Sequence, residues 1–255
     1  MLISQVTYLK LKTGNPSQIK GQHIHGFFFK KILASYNPKL ADRMHTSDCP
    51  KRFSASYIFK EGKMFWFRIA SWDDEIAEAL FLYFRSHFEV ELGNCLFELI
   101  KTVSDAGTTP WAKRIELDEF LNSARSSEKN TFWVEHFSPT SFKCGDVHLP
   151  LPVPDLIVNS IIKHLPAKIT VEIKPDKQKL WNAIQLKEHR IKSLYNRRNY
   201  GSIASFVGKT RWQIDKQASQ QERDAIRILF SFAFYSGIGV KTTQGMGMCR
   251  VIGSS

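Results

Sequence analysis

The order in which two hydrophobic periods alternate is what most constrains this chain. Residues 2–12 read as a strand, with Leu9 and Leu11 facing inward and Lys10 and Lys12 outward. Gly14-Asn15-Pro16-Ser17 has turn chemistry. Residues 18–35 then place Ile19, Ile24, Phe27, Phe28, Ile32 and Leu33 at helical spacing. A polar loop is expected from Asn37 to Arg52. Phe53–Phe59 and Lys63–Ser71 read as strands around a Glu61-Gly62 turn. Asp73 or Asp74 caps a predicted helix through about His87, with Ile76, Leu80, Tyr83 and Phe84 inward. Phe88–Leu92 and Leu96–Val103 are further strands. Strand, helix, strand, strand, helix, strand is the order of the ferredoxin-like split β-α-β unit.

The second half is less regular. Thr131–Phe137 reads as a strand that Ser138-Pro139-Thr140 breaks. The prolines of Leu149–Pro154 lead into a helix near Asp155–Lys163. Residues 166–190 are ambiguous, with Ile169–Ile173 strand-like. Ser205–Ile214 reads as strand, Glu222–Ser236 as helix stopped by Gly237, and Met246–Ile252 as a last strand. The expected fold class is α+β, two ferredoxin-like (RAMP/RRM-like) units side by side with a basic groove. Residues 1–115 would form the first unit and 130–255 the second, with the boundary in 104–129. A chain of 255 residues is long enough for both.

Charge is the one unusual feature of composition. Lys and Arg total 36 against 24 Asp and Glu, a net +12. Half of that excess falls in residues 186–216, where eight cations oppose only Glu188 and Asp215. Tyr195, Tyr200, Phe206 and Trp212 interleave them as candidates for stacking on bases. A polyanionic partner is implied. Apolar runs are too short to span a bilayer, so no membrane partner is expected. No signal peptide is visible. Cys49, Cys95, Cys144 and Cys249 lie far apart without a CxxC pair, which fits a reducing cytoplasm and gives no zinc or redox motif. Neither a metal nor a cofactor is expected.

Gly237-Ile238-Gly239-Val240-Lys241-Thr242-Thr243-Gln244-Gly245-Met246-Gly247 sets glycines around a Lys-Thr-Thr centre. Glycine lets backbone N–H groups approach phosphate. A tight return from helix to strand needs glycine equally, and both readings stay open. The segment is neither a P-loop nor a dinucleotide fingerprint. Together with the preceding helix it closely resembles the C-terminal signature of the CRISPR-associated RAMP endoribonucleases that process precursor crRNA. Phe137-Ser138-Pro139-Thr140-Ser141-Phe142, Leu149-Pro150-Leu151-Pro152 and Phe206-Val207-Gly208-Lys209 resemble further family segments. So does Asn37-Pro38-Lys39-Leu40-Ala41 followed by His45.

The resemblance implies metal-independent cleavage of CRISPR repeat RNA, single-stranded or stem-loop, in a prokaryotic cytoplasm. It places His45 as the proton-transfer residue and Lys51 as the charge stabiliser. His23, His25, Lys30 and Arg52 are secondary candidates. Some members use a tyrosine in the first helix, but Phe27-Phe28-Phe29-Lys30 has none. The chemistry itself needs only alignment of the 2′-hydroxyl, a proton carrier and a cation for the phosphorane. Cations near His45 would favour its base form. RNA contacts are expected from Arg190, Lys192, Arg197, Arg198, Lys209 and Arg211, and from Gly237, Gly239, Lys241, Thr242, Gly245 and Gly247. Homodimerisation and hand-off to an effector complex are open. The alternative is a catalytically silent relative that holds repeat or guide RNA.

Overall fold

The computed structural model describes residues 1–46, 51–197 and 201–253. The chain forms two units. The first comprises Met1–Glu116 with Thr243–Gly245, and the second Leu117–Thr242 with Met246 onward.

The first unit opens with strand β1 (Leu2–Thr13). A continuous helical run follows: α1 (Gly21–Phe27), a π segment (Phe28–Leu33) and α2 (Ala34–Tyr36). Next come α3 (Pro38–Thr46), β2 (Phe53–Ala55), β3 (Phe59–Glu61), β4 (Met64–Ser71) and α4 (Asp74–Ser86). β5 (Glu89–Leu92), β6 (Cys95–Val103) and β7 (Lys113–Ile115) complete it. The sheet order is β2-β4-β1-β6-β5, with antiparallel partners on both sides of β1. That is the ferredoxin-like arrangement with β5 added beyond β6. Leu9, Phe65, Phe67, Ile69 and Phe97 cover the helices from the sheet side, and Ile24, Phe28, Ile32, Ile76 and Leu80 answer them. Asp73 caps α4 as predicted, accepting from the backbone N–H groups of Glu75 and Ile76.

The π segment has a local cause. Phe27, Phe28 and Phe29 are all buried, as are Ile32 and Leu33. A regular helix spreads three consecutive side chains over more arc than one apolar stripe covers. The wider π turn helps bring them to the core, and such turns recur at functional sites.

The second unit begins with α5 (Leu117–Arg125), inside the stretch expected to be a linker. It continues with β8 (Thr131–Thr140), the hairpin β9 (Phe142–Cys144) and β10 (Val147–Leu149), then α6 (Pro154–Ile162), α7 (Ala167–Ile173) and α8 (Lys177–Asn182). β11 (Ile184–Arg197), β12 (Ser202–Ile214), α9 (Gln220–Ser236) and β13 (Cys249–Ile252) follow. The sheet order β11-β12-β8-β13 is again ferredoxin-like and antiparallel. Gly237 ends α9 with φ +72°. No helix among the described residues is long and apolar enough to cross a membrane.

Three local expectations need correction. Residues 38–46 are helix rather than loop, because the Asn37 side chain accepts from the Leu40 N–H and Pro38 suits a first helical turn. Ser138-Pro139-Thr140 does not break β8. The ladder shifts between Phe206 and Gly208, and this bulge opposite Pro139 accommodates a residue with no N–H. Ile169–Ile173 is helix, not strand: Ile169 and Ile173, four apart, are buried, while Val171 is 70% exposed.

Candidate active site

In the first unit, α1, the π segment and α3 bring His25, Phe29 and His45 together. His45 lies in the last turn of α3 and is exposed. Its ring meets the Phe29 ring edge-on, with centroids 5.3 Å apart. His25, one turn before Phe29, packs on the same phenyl ring at 4.8 Å and stacks on Phe53 at 6.1 Å. Phe29 is thus shared by two histidines, and it has no hydroxyl.

His25 is held at its other edge. Its Nδ1 lies 3.1 Å from the carbonyl oxygen of Thr243. A carbonyl only accepts, so Nδ1 is the donor in this contact. Thr243–Gly245 seats in the first unit through its backbone. The Gly245 N–H donates to the Ala55 carbonyl at 3.0 Å. A Cβ on Gly21 would stand 1.9 Å from the Gln244 carbonyl oxygen, and one on Gly245 would stand 2.8 Å from the Tyr57 ring.

Lys51 closes α3. Its ammonium donates to the carbonyls of Met44 and, at 3.4 Å, His45. A cation at the last turn of a helix opposes the partial negative charge of its carbonyls. Lys51 therefore fixes the backbone that carries His45. Ser47–Pro50 lie outside the described residues.

The other candidates are engaged elsewhere. His23 turns away from His25 along α1, and its Nδ1 accepts the Lys20 N–H at 3.0 Å. Arg52 pairs with Asp73 at 3.0 Å. Lys30 is exposed on the π segment and pairs with neither histidine among the described contacts.

In the second unit, Arg190, Lys192 and Lys209 are exposed and Arg211 half-buried on the β11–β12 hairpin. Arg197 ends β11, its side chain undescribed, and Arg198 lies outside the described residues, as does Tyr200. Phe206 and Trp212 are fully buried against the helices, so they are not stacking platforms. Tyr195 is 77% exposed. Lys241 is exposed at φ +57°, and Thr242 is buried. The glycines around them serve close backbone packing. A Cβ on Gly239 would stand 2.3 Å from the Ser141 carbonyl oxygen, and one on Gly247 2.2 Å from that of Ile238. A third histidine, His136, sits inside this unit, with Nε2 3.0 Å from Thr210 Oγ1. Burial pushes its pKa down to about 3, so it is neutral and packs rather than reacts.

Residues 134–249 match the family described as CRISPR-associated endoribonuclease Cas6. Over that stretch the chain is similar to the Cas6 endoribonucleases. A CRISPR-associated endoribonuclease Cas6 of Streptococcus thermophilus is 23% identical over 239 residues, 91% of each chain. Among solved structures, a Cas6 product complex superimposes with a TM-score of 0.79 at 23% identity, covering 98% of this chain and 99% of that one. A RAMP protein binding different RNA substrates gives 0.58 at 14%, covering 98% and 99%. The Cas6 match spans β8 to the start of β13. The histidine cluster of the first unit lies outside it, and its assignment rests on the geometry above.

Proposed function

We propose that this Cas6 relative cuts CRISPR repeat RNA without a metal, in a prokaryotic cytoplasm. The 2′-oxygen attacks the adjacent phosphorus while the P–O5′ bond breaks. A base takes the 2′ proton and an acid gives one to the departing 5′-oxygen, leaving a 2′,3′-cyclic phosphate and a 5′-hydroxyl. The observation that carries this reading is the exposed imidazole of His45, on a helix end tied down by Lys51 and set against Phe29 beside His25. His45 is the leading proton carrier, a role typically worth about 100- to 10,000-fold. His25, with Nδ1 on the Thr243 carbonyl, is the group placed to serve where a tyrosine would. Lys51 orders the helix end and sits beside it as a cation for the phosphorane. Arg190, Lys192, Lys209, Arg211 and Lys241 supply phosphate contacts.

The test is repeat RNA incubated in EDTA with wild type and His45→Ala. Cleavage that persists in EDTA and collapses in the variant is expected. Tight binding with no cleavage by wild type would overturn the enzyme reading. Phe29 favours one second reading, because a phenyl ring transfers no proton: a silent protein that holds repeat or guide RNA.

A further inference from the structure

The face of the second unit's sheet that points away from α9 carries two cross-strand rows. Strand register sets Glu188, Arg211, Trp133 and Ile252 in line across β11, β12, β8 and β13. The next row is Arg190, Lys209, Glu135 and Arg250. The opposite face is the core face, where Phe132 and Trp212 both pack on Phe230. Trp133 is thus the indole that the strands turn outward.

Two guanidiniums lie over that indole: Arg190 at 5.2 Å from the ring centroid and Arg211 at 5.8 Å. Glu188 accepts from Arg190 at 2.9 Å and forms an ion pair with Arg211 at 3.4 Å. Arg250 is paired with Glu135 at 2.6 Å. The two rows hold four cations against two carboxylates, so the patch stays positive after its internal pairs form. The Arg190 pair is a surface pair, with 73% of that side chain exposed. Such pairs hold weakly and exchange readily for phosphate. The Arg211 Nε is buried and makes no hydrogen bond. A half-buried aromatic ring on the outer face of a sheet, flanked by movable guanidiniums, is an arrangement that takes an unpaired base on its face and phosphates at its edges.

We propose that Trp133 is a stacking platform for an unpaired nucleotide of single-stranded RNA, with Arg190 and Arg211 gripping the phosphates on either side. Resting on the RNA-cleaving reading, this adds a site for RNA outside the scissile bond. Glu188 keeps the two guanidiniums over the ring until RNA arrives.

The probe is a short, unstructured, fluorescein-labelled oligouridylate, titrated with the full chain by anisotropy. Trp133→Ala should bind it roughly 5- to 100-fold more weakly, the range for loss of one stacked base. Trp133→Phe should recover most of the affinity, because it restores a ring. Arg190→Ala should flatten the dependence of affinity on salt by about 0.7 in log–log slope. Wild-type cleavage of repeat RNA is measured in parallel. If oligouridylate binding needs Trp133 but repeat RNA is never cut, the enzyme reading falls and the platform stands. Wild-type affinity in a folded Trp133→Ala protein would overturn the platform, as would no binding of oligouridylate by wild type.

Discussion

The edge of the Phe29 ring faces His45, and the same ring packs on His25. A side chain with no acidic or basic group thus sits between two imidazoles. Phe29→Leu keeps most of the buried volume and should cost under about 1.5 kcal/mol in stability. It removes the flat surface that sets both imidazoles. Single-turnover cleavage should fall about tenfold or more while RNA affinity holds. An unchanged rate would show that the histidines are oriented by other groups.

His25→Ala should slow cleavage less than His45→Ala and change the shape of the pH–rate profile. If His25 is the second proton carrier, one limb of a bell-shaped profile disappears with it. A profile of unchanged shape, merely lowered, would reduce His25 to packing.

Lys51→Ala removes the cation at the end of α3, a contribution of about 0.3–1 kcal/mol. The expected loss in cleavage rate exceeds the loss in RNA affinity, because the backbone of His45 loosens. Lys51→Arg, which retains donors and charge, should recover much of the rate. Equal losses in rate and affinity would instead make Lys51 an ordinary phosphate contact.

Stability should depend on His136 in acid. Its folded pKa of about 3 lies below the ordinary imidazole value, so the unfolded chain binds the extra proton. The contribution is complete above about pH 6.5 and is lost as pH falls from there towards 3, at up to about 1.4 kcal/mol per pH unit. Chemical denaturation at pH 7.5, 6 and 5 should show this slope in wild type and a shallower one in His136→Gln. Parallel slopes would contradict it.

Two glycines should respond oppositely to alanine. Gly26 lies within α1, and a Cβ there meets nothing within 4 Å, so Gly26→Ala should stabilise by about 0.5–1 kcal/mol. At Gly245 the added carbon meets Tyr57 at φ +99°, so Gly245→Ala should destabilise by about 1–3 kcal/mol. Cleavage should fall with it, since the same segment supplies the Thr243 carbonyl to His25. Thermal melts and cleavage assays decide both.

The strand and helix order of the first unit, and α9 of the second, could be read from periodicity, because Leu9 and Leu11 in β1 and Ile226, Leu229 and Phe230 in α9 repeat cleanly. Faces were harder where neighbours in a strand share a character. Arg211 and Trp212 are adjacent, so one must point in and one out, and only the register with β8 decides which. Trp212 goes inward, leaving Trp133, across from Arg211, as the half-buried indole on the outer face. Ile169, Val171 and Ile173 fit either period until burial separates Val171 from the others. His45 was legible through the family resemblance, from its place after Asn37-Pro38-Lys39-Leu40-Ala41. The partnership of His25 with Thr243 was not, because 218 positions separate the two.

That separation has a consequence for synthesis. A chain made at about 5–20 residues per second completes residues 1–116 many seconds before Thr243–Gly245 exists. During that interval every strand of the first unit's sheet and both histidines have been made, while His25 lacks its carbonyl partner. The final hydrogen bond of the histidine cluster therefore forms only once residue 243 has been made. A nascent chain carries an incomplete histidine cluster past any RNA it meets.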